Sequence, residues 1–295
     1  MKILKKTTKA FSLIELSIVI LIIGILVAGV TSSSRLIKRM KIIVAQNSTQ
    51  SSPVSTIKDL AVWYETSLDK SFNDTEESDQ TPITTWYDNN IQSSFKIDFK
   101  QATVANQPKY SEGIINGLPA VKFDGVDDCM LASSAGINGK GFSGFLVGQR
   151  IAYPGNSWQT YFTGGSVSSS DDCNTGSFIL LADWTTAFGS CFNVGQWTYS
   201  NIAFPGNGSP FIYDLVVTPT NNSVYFNGAS VSSVNSAFTY SFDSLRAGCR
   251  LVANTNNQFL NGYIAEIIIY SRALNTEERK AVESYLSKKY AIKIT

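Results

Sequence analysis

The chain of 295 residues contains no histidine. That excludes Ser-His-Asp and Cys-His nucleophilic sites and every His-ligated metal centre, which removes the commonest hydrolase designs. The first ten residues lack any acid, although they hold Lys2, Lys5, Lys6 and Lys9. Residues 11–44 carry Arg35, Lys38, Arg39 and Lys41 against Glu15 alone, so an overall charge of +1 leaves residues 45–295 at −6. A body of that sign has no global pull on phosphate backbones, and no nucleic-acid partner is expected. Cysteine is sparse: Cys129, Cys173, Cys191 and Cys249 all lie far from the N-terminus.

The N-terminus instead holds an apolar run. From Phe11 to Val30 nearly every residue is apolar, and about 20 such residues at ~1.5 Å rise span a hydrocarbon core. By the positive-inside rule the lysines hold the N-terminus in the cytoplasm, which predicts a single pass with everything after Val30 exported. The cysteines then meet an oxidising compartment, and two disulfides are expected. Sequence alone does not choose among the possible pairings. Cys173 with Cys191 closes a short loop and is favoured, leaving Cys129 with Cys249; free, buried thiols are the alternative.

An ordinary secretory signal places its small-residue cleavage site after the apolar stretch. In KKTTKAFSLIELSIVILIIGILVAGV the small residue, Ala10, comes before it. A cut between Ala10 and Phe11 would leave the hydrophobic helix on the mature chain. Glu15 is then a carboxylate inside an apolar helix, where an ionisable group needs a partner. The new amine of Phe11 on an adjacent copy would serve.

Phe11-Ser12-Leu13-Ile14-Glu15 closely resembles the Phe-Thr-Leu-Ile-Glu motif that follows the leader of type IV pilins and type II secretion pseudopilins. The resemblance implies that a prepilin peptidase cuts after Ala10, where the family usually has Gly, and methylates Phe11, and that Glu15 guides docking with other pilin subunits into a filament. It also implies residence in the inner membrane before assembly, then an extracellular filament or a periplasmic pseudopilus. Gly24 lies where family helices loosen during assembly; packing through Gly24, Ala28 and Gly29 is the equal alternative.

Leu36, Ile37, Met40, Ile43 and Val44 recur at helical spacing, which carries the predicted helix to residue 46. The polar run AQNSTQSSP (Ala45–Pro53) reads as a break. The organisation expected is a leader at 1–10, a transmembrane and assembly helix at 11–46, a linker at 47–56 and one domain at 57–295.

In that domain short apolar and aromatic runs alternate with Gly, Asn, Asp, Ser and Pro clusters, the spacing of a β-sandwich. Asn227-Gly228, between Val224-Tyr225-Phe226 and Ala229-Ser230-Val231, signals a type I′ hairpin. IAEIIIY (Ile264–Tyr270) reads as a buried strand. Asn275 and Glu278 form a capping-box pair ahead of Val282, Tyr285, Leu286 and Lys289 at helical spacing, with Lys288 and Lys289 near the negative end of that helix.

Three stretches, NGLPAVKFDGVDDCM (Asn116–Met130), SVYFNG (Ser223–Gly228) and LNGYIAEIIIYSRALNTEERKAVESYLSKKY (Leu260–Tyr290), resemble in order and spacing the laminin G-like branch of the concanavalin A-like lectin/glucanase fold. The fold class expected is therefore an N-terminal long α-helix, serving membrane and filament, plus a mainly-β jelly-roll sandwich, concanavalin A-like, with a short C-terminal helix.

That fold hosts glucanases, lectins and adhesion modules, so function must come from residues. A retaining glycosidase needs two carboxylates about 5–5.5 Å apart. The family supplies them as Glu-x-Asp-x-Glu on one strand, and this spacing is missing here, so no enzymatic activity is expected. Asp124, Asp127 and Asp128 are the one candidate calcium cluster; the preferred reading is a tight Asp-Gly turn whose carboxylates bond backbone amides. Sugar faces stack on exposed rings while hydroxyls need acceptors, which nominates Trp158 and Trp184 with Asp171 and Asp172; burial of such rings in the core is the alternative. Two functions follow. A surface filament subunit could display a lectin-like domain to glycans or cell surfaces, the preferred reading because the domain is large. Alternatively, a structural pseudopilin of a secretion or DNA-uptake machine would have no ligand of its own.

Overall fold

The computed structural model describes residues 13–139, 141–153, 158–165, 177–184, 187–192, 196–199, 203–235, 240–252 and 255–295. For some of these, Glu15, Trp184 and Trp197 among them, only the backbone is described. Ala10 and Phe11 lie outside the described residues, as do Asp171, Asp172 and Cys173. The chain divides into two units, residues 1–43 and 44–295.

The first unit is helical. Helix α1 runs from Leu13 to Gln50, and in its portion up to Ile43 apolar side chains such as Leu16, Ile20, Leu36 and Met40 are exposed. Ser17 satisfies its own hydroxyl by donating to the carbonyl of Ile14, 2.8 Å away, the usual solution for a hydroxyl on an apolar helix. Among the described residues no helix is long and apolar enough to cross a membrane.

The second unit begins earlier than the polar run suggested. Helix α1 does not break at residue 46 but continues to Gln50, and a turn of 3-10 helix follows at Pro53–Ser55. Residues expected to be linker are packed: Thr49, Ser52 and Val54 are buried. Gln46 Nε2 donates to the Ser67 carbonyl at 2.9 Å and to Asp69 Oδ1 at 2.7 Å, and Thr49 Oγ1 lies 3.2 Å from Tyr285 Oη. For Gln46 and Thr49 a partner replaces the water lost on packing, which keeps its cost small. Composition reveals the polarity but not the waiting partner, so the linker expected at 47–56 is corrected to the start of the body.

The strands are β1 (Leu60–Glu65), β2 (Thr85–Trp86), β3 (Phe99–Lys100), β4 (Lys109–Ile115), β5 (Leu118–Asp124), β6 (Met130–Gly139), β7 (Phe142–Arg150), β8 (Gln159–Gly165) and β9 (Phe178–Trp184). They continue with β10 (Ala187–Phe192), β11 (Gln196–Tyr199), β12 (Pro210–Val217), β13 (Asn222–Phe226), β14 (Ala229–Val234), β15 (Tyr240–Ala247), β16 (Arg250–Val252), β17 (Thr255–Asn257) and β18 (Asn261–Tyr270). Helix α2 spans Thr276–Tyr290. One antiparallel sheet has the order β14-β13-β12-β7-β18-β5-β4, with β1 joining β18 beyond the end of β5; the other has the order β11-β10-β9-β8-β15-β6-β3-β2.

Between the sheets lies an aromatic-rich core that includes Trp86, Phe99, Phe142, Phe178 and Phe211. The first sheet is covered on its other face too. Val282, Tyr285, Leu286 and Tyr290 of α2, with Ala45 and Val54, pack on Phe145, Val147, Ala265 and Ile268. This explains the unbroken IAEIIIY run: Ile264, Ile267 and Ile269 enter the inner core while Ala265, Ile268 and Tyr270 meet α2. A strand buried on both faces loses the polar alternation of a half-exposed one.

Local signals behave as their chemistry dictates. Asn227 and Gly228 adopt φ of 48° and 81°, the positive values a type I′ turn needs. Asn275 accepts from the Glu278 amide while Glu278 accepts from the Asn275 amide, closing the capping box. A disulfide joins Cys129 to Cys249, and Cys191 is also disulfide-bonded. Next to Cys249, Gly248 holds φ +79°, and a Cβ there would stand 2.1 Å from the Phe123 ring, so no other residue fits.

Candidate functional site: the outer face of the second sheet

With helices on one face of the sandwich, the outer face of the second sheet is where side chains can meet a ligand. Strand alternation puts them there. Phe99, Met130, Ala132, Leu245 and Ala247 point into the core, so their neighbours Lys100, Leu131, Ser133 and Arg246 point out. Register aligns Lys100 with Leu131, Leu131 with Arg246, and Arg246 with Thr163, a row running across four strands. Lys100 is exposed and Leu131 is 37% exposed, whereas Arg246 is buried and donates to Ser244 Oγ at 3.3 Å.

A cleft of about 430 Å³ opens beside that row, lined by Lys96, Asp98, Lys100, Gln101, Ser133 and Asn256 together with Leu131 and Cys129. Its wall is pinned. Gln101 Nε2 donates to the Cys129 carbonyl at 2.5 Å and Gln101 Oε1 accepts the Thr103 amide at 3.0 Å. Lys96 Nζ donates to the Asn90 carbonyl, and Asp98 Oδ1 accepts the Asp88 amide at 3.0 Å.

Sequence reasoning missed this cleft because its residues come from separate segments. One local signal exists: in FKIDFK (95–100) Lys96, Asp98 and Lys100 alternate with Ile97 and Phe99, the period of a strand with one charged face.

The residues nominated for sugar stacking fare differently. Trp158 is half-buried against Ile179, Ala182 and Cys191, a small cluster on the outer face and separate from the core. Its ring centroid is 6.3 Å from that of Tyr199, which is 48% exposed. Trp184 ends β9, its side chain outside the described residues.

Asp124, Asp127 and Asp128 do converge: their carboxylate oxygens lie within 4.8 Å of one another. They are engaged in the turn itself. Asp128 Oδ2 accepts the Asp124 amide at 2.9 Å, and Asp124 Oδ1 accepts the amides of Val126 at 2.8 Å and Asp127 at 3.3 Å. Burial, followed by the neighbouring Asp124 charge, pushes the Asp128 carboxyl up to about 7. Calcium takes about 6–8 oxygens, and this turn offers three carboxylates, of which those of Asp124 and Asp128 already serve as amide acceptors.

Other charged groups are sealed inside. Asp183 Oδ2 accepts from Arg150 Nη1 at 2.9 Å and Gln159 Nε2 at 3.2 Å, and burial pushes its carboxyl up to about 7. Glu65 and Glu266 face each other across β1 and β18, with Lys289 between them and none of the three side chains exposed.

Residues 5–31 match the family of the prokaryotic N-terminal methylation motif, the type IV prepilin signal, which implies processing by a prepilin peptidase and assembly with other pilins. No curated protein matches the chain. Among solved structures it is similar to domain 4 of AbnA, a GH43 extracellular arabinanase from Geobacillus stearothermophilus, in complex with arabinotriose: 18% identity over 76% of this chain and 97% of that one, TM-score 0.52. It is also similar to Trypanosoma rangeli sialidase in complex with 2,3-difluoro-KDN, at 13% identity over 85% of this chain and 38% of that one, TM-score 0.54. The same sialidase as its covalent intermediate with 2,3-difluorosialic acid gives 13% identity over 79% and 33%, TM-score 0.52. The chain thus spans about a third of the length of the sialidase chains it matches. At these identities the likeness establishes the fold, a concanavalin A-like β-sandwich.

Proposed function

We propose that the chain is a subunit of a type IV pilus-related surface filament that displays a non-catalytic, lectin-like sandwich for adhesion to glycans or cell surfaces. The observation that carries this reading is a prepilin motif at residues 5–31 on the same chain as a sandwich with an open polar cleft on its helix-free face. The subunit waits in the inner membrane with its N-terminus in the cytoplasm; after cleavage at Ala10 the helix enters the filament and the body faces outward. Within the fold, the three motifs at Asn116–Met130, Ser223–Gly228 and Leu260–Tyr290 favour the laminin G-like branch.

A non-catalytic role is supported by where the carboxylates sit. The facing pair Glu65 and Glu266 is fully buried and bridged by Lys289, so no glycosidic bond could reach it. The aromatic pair Trp158 and Tyr199 and the cleft offer the stacking surface and polar partners that sugars need.

The test is a glycan array probed with filaments that contain or lack the subunit. Binding that depends on the subunit is the expected result. No binding to any glycan, combined with a secretion or DNA-uptake defect on deletion, would replace this reading with that of a structural pseudopilin.

A further inference from the structure

Resting on the glycan-binding reading, we infer that the cleft beside the Lys100–Leu131 row takes an acidic sugar, its carboxylate held by Lys96 and Lys100 and its apolar face resting on Leu131. The charge balance is local and unusual for this body. Residues 45–295 sum to −6, yet Lys96 and Lys100 outnumber Asp98 in the cleft wall. Lys100 is exposed and has no salt-bridge partner among the described residues, so all three of its N–H donors are available. Lys96 gives one donor to the Asn90 carbonyl and keeps two. Lys96 and Lys100 stand on either side of Asp98 and both line the cleft, and charge-assisted hydrogen bonds from ammonium groups are the stronger kind.

The remaining lining fits a sugar rather than a bare anion. Leu131, 37% exposed on an outward strand position, supplies an apolar patch for ring C–H groups. Asp98 keeps one oxygen free after Oδ1 accepts the Asp88 amide, and an acceptor of that kind suits a sugar hydroxyl. Ser133 and Asn256 are both exposed and add donors and acceptors. Gln101 is committed to the wall through Cys129 and Thr103, which holds the cleft's shape. A polyanion such as nucleic acid would meet the surrounding negative body, whereas one carboxylate on a sugar meets only the cleft.

The experiment is calorimetric titration of the full-length chain in detergent with a glucuronate-containing oligosaccharide and with a neutral oligosaccharide of the same length. The acidic sugar is expected to bind about tenfold tighter, the preference weakening as salt screens the contact. Lys100→Glu should abolish the preference with the circular dichroism spectrum unchanged, and Leu131→Asp should weaken both sugars. Equal binding of the neutral sugar, or a preference for the acidic sugar that survives Lys100→Glu, would overturn the acidic-sugar assignment and leave glycan display intact. Inorganic phosphate competing as well as the sugar would overturn it as a charge-only site. Binding of neither sugar, with a blank glycan array, would overturn both readings.

Discussion

Lys289 on α2 places its Nζ 2.9 Å from Glu266 Oε2 on β18, with neither side chain exposed. The same ammonium is 3.0 Å from Glu65 Oε2 on the neighbouring strand, so one cation neutralises two facing carboxylates in part and holds them together. Trp63 Nε1 donates to Glu266 Oε1 at 2.8 Å, and Tyr285 and Tyr290 donate to the same carboxylate at 3.0 and 2.9 Å. Through Tyr285 the network reaches Thr49 in the last turn of α1. The body thus fastens the end of the long helix, its own closing helix and the first sheet at one polar point.

Removing the cation would strand two carboxylates in the core. Lys289→Met is expected to cost about 3–5 kcal/mol, read from the midpoint of chemical denaturation, with much of the loss recovered when Glu65→Gln and Glu266→Gln are added. A cost near zero would show that the network contributes nothing net.

The pH dependence runs against ordinary acid denaturation. Burial raises the carboxyls of Asp128 and Asp183 to about 7, so the folded state binds their protons more tightly than the unfolded chain does. Their contribution is fully present below the ordinary carboxylate range and is lost as pH rises toward about 7. Glu65 behaves oppositely: burial would raise it, but Lys289 and the Ser67 and Ser71 hydroxyls outweigh burial and hold it low, so its share is lost only in strong acid. The melting temperature should be higher near pH 5 than near pH 8, and Asp128→Asn should reduce the difference; a melting temperature that climbs from acid to neutral would contradict this.

The Cys129–Cys249 bridge closes a sequence separation of 120 residues. Loop-closure entropy of that scale is worth about 4–5 kcal/mol. The Cys129→Ala/Cys249→Ala variant is therefore expected to melt well below the wild type, and equal melting temperatures would count against the bridge as a stabiliser.

Calcium in millimolar excess is expected to leave the melting temperature unchanged, because the Asp124 and Asp128 carboxylates are occupied with backbone amides of their own turn and three carboxylates fall short of the roughly 6–8 oxygens calcium takes. A rise that disappears in Asp128→Asn would establish a metal site instead.

Glu15→Val tests the helix. Mass spectrometry of the N-terminus should still show cleavage after Ala10 and methylation of Phe11, while the variant should fail to enter filaments, since the buried amine of one copy loses its carboxylate partner. Normal incorporation would remove the charge-pairing argument.

Much of this fold was readable because local chemistry decides it. The Asn227-Gly228 turn, the Asn275–Glu278 capping box and the apolar run of β18 depend on neighbours in sequence, as does the leader order that places Ala10 ahead of the helix. The polar stretch Ala45–Pro53 was misread because its meaning depends on Ser67, Asp69 and Tyr285, which lie far along the chain. Lys289 does lie in the last turn of α2, as its spacing implied, but its role as a buried counter-ion depends on Glu65 and Glu266 of the sheet beneath.

The sequence by itself determined that this is a prepilin-type helix joined to a β-sandwich, since apolar periodicity, turn residues and the leader motif act over a few residues each. Only the tertiary structure decided which charges are buried, where the body begins, and that Lys96, Lys100, Leu131 and Asn256 share one cleft. A cleft on a sheet is made by strands adjacent in space and distant in the chain, and their register is set by packing of the core beneath, which no short window of sequence contains.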